Sequence, residues 1–314
     1  MNKATIKYVF LFLTVTIIWG SSFLCVNSLV HSNIPVLLLT SLRFIVGSVA
    51  IIAYRMFSKN RVRFNIREWI YGGGLGIVIF TAFTFQTYGA YYTTPSKNGM
   101  LTGLYVIIVP LLLIILSRKI KVKPLFDAVI CIVGMIVLFN VFSENKSVNL
   151  GDMLTVLCAI AFSIQFILLE KHSPQFNALN YTIAQLVCVA VISMIGSLIF
   201  ESSTYDVMSI KTTTILLILY LGLFSTGYAY VVQTIVQAKL PSTLVAILSC
   251  LESVFAVTFS IGFGYETASL HIILGSLIML FTMISAVVFS KKEKQNYPAT
   301  CDENGRSEFY GNKL

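Results

Sequence analysis

Long apolar segments separated by short polar breaks recur along the whole chain. Ten of them are long enough to cross a lipid bilayer as helices. They cover residues 8–29, 36–54, 69–90, 98–116, 125–142, 153–169, 178–200, 212–236, 243–264 and 270–290. Because hydrocarbon offers the backbone no hydrogen-bond partners, an apolar segment of this length satisfies its own amide groups as a helix. The pattern predicts an all-α integral membrane protein with ten transmembrane helices.

The composition also favours a chain that lies in lipid. Of its 314 residues, 57% are hydrophobic and 11% carry a full charge, whereas soluble domains hold about 45–50% apolar and about 25% charged residues. Too few polar side chains remain to cover this apolar surface in water, which argues against a disordered chain or a secreted disulfide scaffold. The six cysteines form no CxxC pair and no metal-ligand spacing, so we expect no metal and no cofactor.

The net charge of +9 reflects an uneven distribution of lysine and arginine between the two sides of the membrane. If the N-terminus lies inside, most of these residues follow inner span ends, and Lys97, Lys146 and Lys211 lie near outer ends. The positive-inside rule then places both termini in the cytoplasm of a bacterial-type plasma membrane. The surplus charge is a topology signal that suits contact with the lipid bilayer and requires no nucleic acid.

The ten spans divide into two sets of five that share short sequence matches at a nearly constant offset. The matches are Ile17-Ile18-Trp19-Gly20 with Ile160-Ala161-Phe162-Ser163, Gln86-Thr87 with Gln233-Thr234, Pro95-Ser96 with Pro241-Ser242, and Gly134 with Gly275, at offsets of 143, 147, 146 and 141. They predict a first repeat at 1–142, a second at 143–290, and a polar cytoplasmic tail without fixed structure at 291–314. Because each set has an odd number of spans, the second repeat enters the membrane from the opposite side. Such inverted repeats are common in secondary transporters.

Several short motifs lie in or beside the predicted spans. They are Trp19-Gly20-Ser21-Ser22-Phe23, Pro35 followed by Arg43-Phe44, Leu101-Thr102-Gly103-Leu104-Tyr105 before Pro110, Gly151-Asp152, Leu251-Glu252-Ser253-Val254-Phe255-Ala256, and Gly264-Tyr265-Glu266. Together these motifs resemble the EamA branch of the drug/metabolite transporter superfamily. Ser253 stands where the family usually has proline, and Tyr265 separates a Gly-Glu pair that is usually contiguous. The resemblance covers residues 8–290. It implies the ten-helix fold and the export or exchange of amino acids, amines, nucleosides or other small metabolites.

Glu252 lies near the middle of the ninth span, where a charge costs about 2.5–3.5 kcal/mol. Ser249 and Ala256 lie one helical turn away, so this face is small enough to line a cavity. At the repeat offset of 147, Glu252 corresponds to Tyr105 in the fourth span, which predicts a tyrosine and a glutamate at equal depth. The carboxyl group suits a proton carrier or an amine ligand. The alternative is a structural hydrogen bond or ion pair, for example with Arg43.

Other polar groups in the apolar spans extend the candidate site. Arg43 in the second span could clamp a substrate carboxylate, or it could pair with backbone carbonyls or with Glu252. Trp19 in the first span could stack on a flat substrate or pack in the core. Polar stripes follow one face of the eighth span at Thr226, Tyr230, Gln233 and Gln237, and of the third span at Thr81, Thr84, Tyr88 and Tyr91. We expect both stripes to face a shared central cavity, with inter-helix hydrogen bonding as the alternative for any single residue.

These observations favour a secondary active transporter that binds a small metabolite between the repeats and exposes it alternately to either face. Glu252 would couple transport to protons or recognise an amine. Amino acids or related amines are the leading substrate class, and export follows from the family resemblance. The expected substrate-binding residues are Trp19, Arg43, Tyr105, Tyr230, Gln233 and Glu252.

Two alternatives remain open. An uncoupled facilitative carrier of the same fold, for nucleosides or other small solutes, would use Glu252 structurally. A non-transporting membrane enzyme or sensor partner is less favoured, because no GxxxxGK[ST], HExxH or GxSxG motif and no buried Ser/His pair occurs in the sequence. We therefore expect no enzymatic activity. The sequence is compatible with a homodimer.

Overall fold

The computed structural model describes residues 3–32, 34–58, 65–118, 122–140, 149–207, 211–264 and 267–294, which fold into thirteen α-helices. The helices are α1 Lys3–Val30, α2 Val36–Phe57, α3 Ile66–Tyr92, α4 Pro95–Thr102, α5 Tyr105–Ser117, α6 Val122–Leu138, α7 Leu150–His172, α8 Ala178–Phe200, α9 Thr212–Tyr220, α10 Ala229–Gln237, α11 Ser242–Ser249, α12 Leu251–Gly262 and α13 Leu270–Lys294. A π-helical segment, Leu221–Tyr228, joins α9 to α10. Short 3-10 turns follow α7 at Ser173–Gln175 and α8 at Ser202–Val207.

In the part of the chain that the structure describes, these helices form the ten membrane spans that the hydrophobic pattern predicts. Nine spans are apolar helices of 18 residues or more. The remaining span is α6, the fifth in chain order. It has 17 residues, which is the lower limit of spanning length. The fourth span consists of α4 and α5, the eighth runs from α9 to α10, and the ninth consists of α11 and α12. Phe142, the predicted end of the fifth span, and the tail after Lys294 lie outside the described residues.

The fourth and ninth spans, which the hydrophobic pattern presents as continuous helices, are each interrupted near their middle. α4 ends at Thr102 and α5 begins at Tyr105, whereas α11 ends at Ser249 and α12 begins at Leu251. The residues at the breaks keep helical φ with ψ values between −10° and −19°. The backbone therefore tightens locally without reversing its direction. The two breaks occur at corresponding places in the two repeats.

Helix packing is reciprocal between the two halves. α2 packs on α8 and α6 packs on α13, and each of these pairs consists of corresponding spans. α1 packs on α10 and α12 of the second half, and its counterpart α7 packs on α3, α4 and α5 of the first half. Two similar halves of opposite orientation produce this arrangement, so the packing is consistent with the inverted repeat.

Glycines allow the close crossing of α6 and α13. A Cβ atom on Gly275 would lie 2.4 Å from the backbone of Leu138, and one on Gly134 would lie 2.8 Å from Cγ of Met279. Gly134 and Gly275 are one of the repeat matches, at an offset of 141. The match therefore has a physical cause, since each glycine lets its helix approach the other.

Glycines also set the crossing of α3 and α8. Cβ atoms on Gly72 and Gly76 would each lie 2.6 Å from a Cβ atom of α8, on Ala184 and Cys188 respectively. Gly74, between them in the sequence, has nothing within 4 Å of its Cβ position. Only one face of this glycine-rich stretch therefore serves helix packing.

Two buried carboxylates bind the starts of α2 and α8. Glu201, which follows α8, accepts a hydrogen bond from the backbone amide of Leu37 at 2.9 Å. Glu68 on α3 accepts hydrogen bonds from the backbone amide of Asn177 and the side-chain amide of Asn180, both at 3.0 Å. A carboxylate at a helix N-terminus satisfies free amides and interacts favourably with the helix dipole. These contacts join α2, α3 and α8 at both ends of the bundle.

Candidate substrate-binding cavity

A central cavity lies between the two halves and is lined by α1, α2, α3, α4, α5, α7, the π-helical segment, α10 and α12. The space between its lining atoms, including its mouth, is about 420 Å³. All six residues that the sequence suggested line it: Trp19, Arg43, Tyr105, Tyr230, Gln233 and Glu252. The other lining residues are Ser22, Phe23, Phe83, Gln86, Thr102, Phe162, Phe166 and Ser225.

Glu252 and Tyr105 meet at the two helix breaks. The Tyr105 hydroxyl donates a hydrogen bond to Oε1 of Glu252 at 2.8 Å. Both side chains are buried, with exposed fractions of 2% for Tyr105 and 4% for Glu252. Beside them, Sγ of Cys250 donates to the carbonyl of Gly103 at 3.4 Å. Each of these two pairs joins positions 147 residues apart, so corresponding parts of the repeats are in contact at the centre of the molecule.

Arg43, with 3% of its surface exposed, binds the π-helical segment. Its Nε donates to Oγ1 of Thr226 and its Nη2 donates to Oγ of Ser225, both at 3.0 Å. The guanidinium carbon lies 4.7 Å from the ring centroid of Phe83, in a cation–π contact. In the described structure no salt bridge of 4.0 Å or less joins Arg43 to Glu252. The alternative of a direct ion pair between these two residues is therefore not realised in the described structure.

The π-helical segment holds Trp19 and Arg43 at the same wall. A π-helix bonds five residues back instead of four, which widens the turn and displaces backbone groups from α-helical pairing. The carbonyl of Ser225 accepts a hydrogen bond from Nε1 of Trp19 at 3.0 Å, while its hydroxyl binds Arg43. A Cβ on Gly47 of α2 would lie 2.9 Å from the carbonyl oxygen of Gly222. Glycines in the sequence mark this close approach, but they do not reveal the change of helix type at Ser225.

Aromatic rings form much of the remaining wall. The ring of Tyr230 lies 6.1 Å from those of Phe44 and Phe83 and 6.2 Å from that of Trp19. The ring of Tyr105 packs edge-on against another cavity residue, Phe166, at 5.0 Å. The cavity therefore presents an apolar surface around two ionisable groups at separate positions.

The third span turns a different face to the cavity than its polar residues suggest. None of the four residues in its predicted polar stripe lines the cavity; these residues are Thr81, Thr84, Tyr88 and Tyr91. Tyr88 instead donates to Oε1 of Glu201 at 3.2 Å, and Tyr91 is 49% exposed. Phe83 and Gln86 are the cavity residues of this helix. The prediction was wrong because polar side chains in a membrane span also serve helix–helix contacts, and periodicity does not separate the two uses.

A central cavity between inverted repeats is typical of membrane carriers, especially where interrupted helices border it and buried ionisable side chains line it. The sequence profile of the EamA-like transporter family matches residues 6–140 and 149–288. The chain belongs to this family, which is part of the drug/metabolite transporter superfamily, and it is a multi-pass membrane transporter.

Individual relatives resemble this chain over most of their length. An uncharacterized transporter of Archaeoglobus fulgidus is 26% identical over 273 residues, which are 86% of this chain and 82% of that protein. The uncharacterized transporters YoaV and YetK of Bacillus subtilis are 23% and 25% identical, over 85% and 89% of this chain and 92% and 86% of their own lengths. A solved crystal structure shares the fold, with a TM-score of 0.73 and 17% identity over 93% of this chain and 99% of that one.

Proposed function

We propose that the protein is a secondary active transporter of small metabolites that carry an amino group, with amino acids and related amines as the leading substrate class. The observation behind the proposal is a cavity with two ionisable side chains, Glu252 and Arg43, that form no ion pair with each other. Burying two charged side chains without pairing them with each other costs free energy. A substrate with an ammonium and a carboxylate group would offset that cost by binding both.

Glu252 supplies the acidic half of the proposed site. Its Oε1 accepts the hydrogen bond from Tyr105, and its Oε2 has no donor among the described residues. A substrate ammonium or a proton would satisfy this second oxygen. Because the two compete for one carboxylate, binding of the amine would displace the proton, which couples their movements in opposite directions.

Arg43 supplies the basic half. Ser225 and Thr226 accept two of its N–H groups, and its other N–H groups have no acceptor in the described part of the chain. A guanidinium fork matches the two oxygens of a carboxylate. The hydroxyl contacts and the ring of Phe83 hold the fork in place before the substrate arrives.

The inverted repeat supplies the movement, because two oppositely oriented halves that exchange conformations open a central site to either face. We propose export across a bacterial-type plasma membrane, with both termini in the cytoplasm and protons as the coupling ion. The direction of transport follows the family resemblance, and the coupling follows the position of Glu252.

Counterflow into proteoliposomes tests this function. Purified protein is reconstituted, and uptake of labelled amino acids, amines and nucleosides is measured with and without an imposed pH gradient. We expect an amino acid or amine to exchange across the membrane. It should also accumulate inside the proteoliposomes against its gradient when their interior is more acidic than the medium. Glu252→Gln should abolish the response to pH, whereas Glu201→Gln, which alters a buried carboxylate outside the cavity, should retain it. Exchange that ignores the pH gradient would favour an uncoupled carrier, and failure of every amino acid and amine would refute the substrate class.

A further inference from the structure

A pair of hydrogen-bonded glutamines lies at one end of the cavity. Gln165 of α7 and Gln233 of α10 are each 1% exposed, and the Nε2 of each donates to the Oε1 of the other, at 3.2 and 3.3 Å. Gln233 lines the cavity, so the pair is part of its wall. Close by, the hydroxyls of Thr182 and Thr234 lie 2.9 Å apart. These contacts join α10 to α7 and α8 near the C-terminal end of α10, which is the cytoplasmic end in the predicted topology.

The corresponding residues of the first half do not make this contact. The repeat offsets of 147 and 143 relate Gln233 to Gln86 and Gln165 to Ser22, and both counterparts line the cavity. Gln86 donates to Oγ1 of Thr102 at 3.4 Å, and Ser22 donates to a carbonyl of its own helix at 2.7 Å. Gln86 is also half-buried, whereas Gln233 is buried. The contact therefore exists at one end of the cavity and not at the other.

This difference has a specific meaning in an inverted repeat. When the two halves exchange conformations, contacts present at one end are lost and the corresponding contacts at the other end form. By this reasoning the glutamine contact would close the cytoplasmic end of the cavity in the described conformation. In the opposite state, Ser22 and Gln86 would approach each other and Gln165 would separate from Gln233.

We propose that Gln165 and Gln233 form the cytoplasmic gate of the transport cycle, with Ser22 and Gln86 as the corresponding gate at the outer end. A pair of neutral amides suits this role, since hydrogen bonds between membrane helices are individually weak and can break within a cycle. The proposal rests on the proposed transport function, because a gate requires alternating access. It nevertheless predicts a shift between two conformations that is measurable without a substrate.

Hydrogen–deuterium exchange of the full chain in lipid nanodiscs tests the gate. Gln165→Leu removes one partner and should raise exchange in α10 and lower it in the outer parts of α1 and α3. The expected change is about a nine-fold shift between the two conformations, because the substitution removes both hydrogen bonds of the pair and each is typically worth about three-fold. Ser22→Gln should shift exchange in the same direction, because it places a second amide opposite Gln86. The control is Gln185→Leu, which removes a buried amide without a hydrogen-bond partner in the described structure.

The opposite changes at the two ends distinguish a gate from a packing contact. If Gln165→Leu raises exchange in α10 without lowering it in α1 and α3, the glutamine pair is a static contact and the proposal is refuted. If that variant does not fold, Ser22→Gln decides alone, and an unchanged exchange pattern refutes the proposal. Opposite changes without counterflow of any amino acid or amine would support the gate and reject the substrate class. Counterflow without opposite changes would reject only the gate.

Discussion

The hydroxyl group of Tyr105 offers the sharpest test of whether Glu252 acts in transport. Tyr105→Phe removes the hydrogen bond of 2.8 Å to Oε1 of Glu252 and leaves the ring in place against Phe166. A hydrogen bond to a charged group is worth about 1.5–3 kcal/mol, and one between neutral groups about 0.5–1.5 kcal/mol. The expected loss in transport is therefore about 10- to 150-fold if Glu252 is ionised in the limiting step, and about 2- to 13-fold if it is protonated.

The assay is the initial rate of counterflow over a range of substrate concentrations. A loss confined to the maximal rate would place the hydrogen bond in the conformational step, whereas a raised half-saturation concentration would place it in binding. The matched control is Tyr181→Phe, because Tyr181 is also fully buried, lies outside the cavity, and has a hydroxyl without a partner in the described structure. We expect this control to transport at the unaltered rate.

A double-mutant cycle shows whether Tyr105 acts through Glu252. In the presence of Glu252→Gln, Tyr105→Phe should have a much smaller effect than it has alone, since its charged partner is gone. Equal effects of Tyr105→Phe in both backgrounds would mean that the two residues act independently. Equal transport rates for Tyr105→Phe and Tyr181→Phe would refute the inference that the hydrogen bond between Tyr105 and Glu252 contributes to transport.

Three further predictions concern packing, specificity and helix capping. Gly76→Ala should lower Tm by roughly 2–10 °C, because its Cβ would lie 2.8 Å from the carbonyl oxygen of Gln185 and overpacking costs about 1–3 kcal/mol. Gly74→Ala should not lower Tm. Equal Tm values for the Gly76→Ala and Gly74→Ala proteins, measured by tryptophan fluorescence in detergent, would contradict the assigned crossing of α3 and α8. Arg43→Lys should impair counterflow of solutes with a carboxylate more than that of simple amines, because an ammonium lacks the guanidinium fork; equal impairment would exclude a carboxylate clamp. Glu201→Gln should lower Tm by about 2–4 °C through loss of charge at the start of α2, and an unchanged Tm would show that its contacts there are not stabilising.

The sequence by itself determined the class of protein, the number of spans and the candidate residues of the cavity. Lipid imposes a simple rule on the backbone, so segment length and apolarity suffice to find the helices. Burial of polar groups in lipid is costly, which makes residues such as Glu252 and Arg43 stand out from their neighbours. The repeat offset related Glu252 to Tyr105, and these two side chains are in contact. Their role in binding substrate remains a prediction.

The tertiary structure alone decided which partner each polar side chain takes. Arg43 binds Ser225 and Thr226 through a π-helical segment that periodicity does not reveal. The third span presents Phe83 and Gln86 to the cavity instead of its polar stripe. A sequence shows that a polar group in a membrane span needs a partner, because its burial is costly. The identity of that partner depends on the rotation, interruption and crossing of helices that are distant in the chain, and these are properties of the packed bundle.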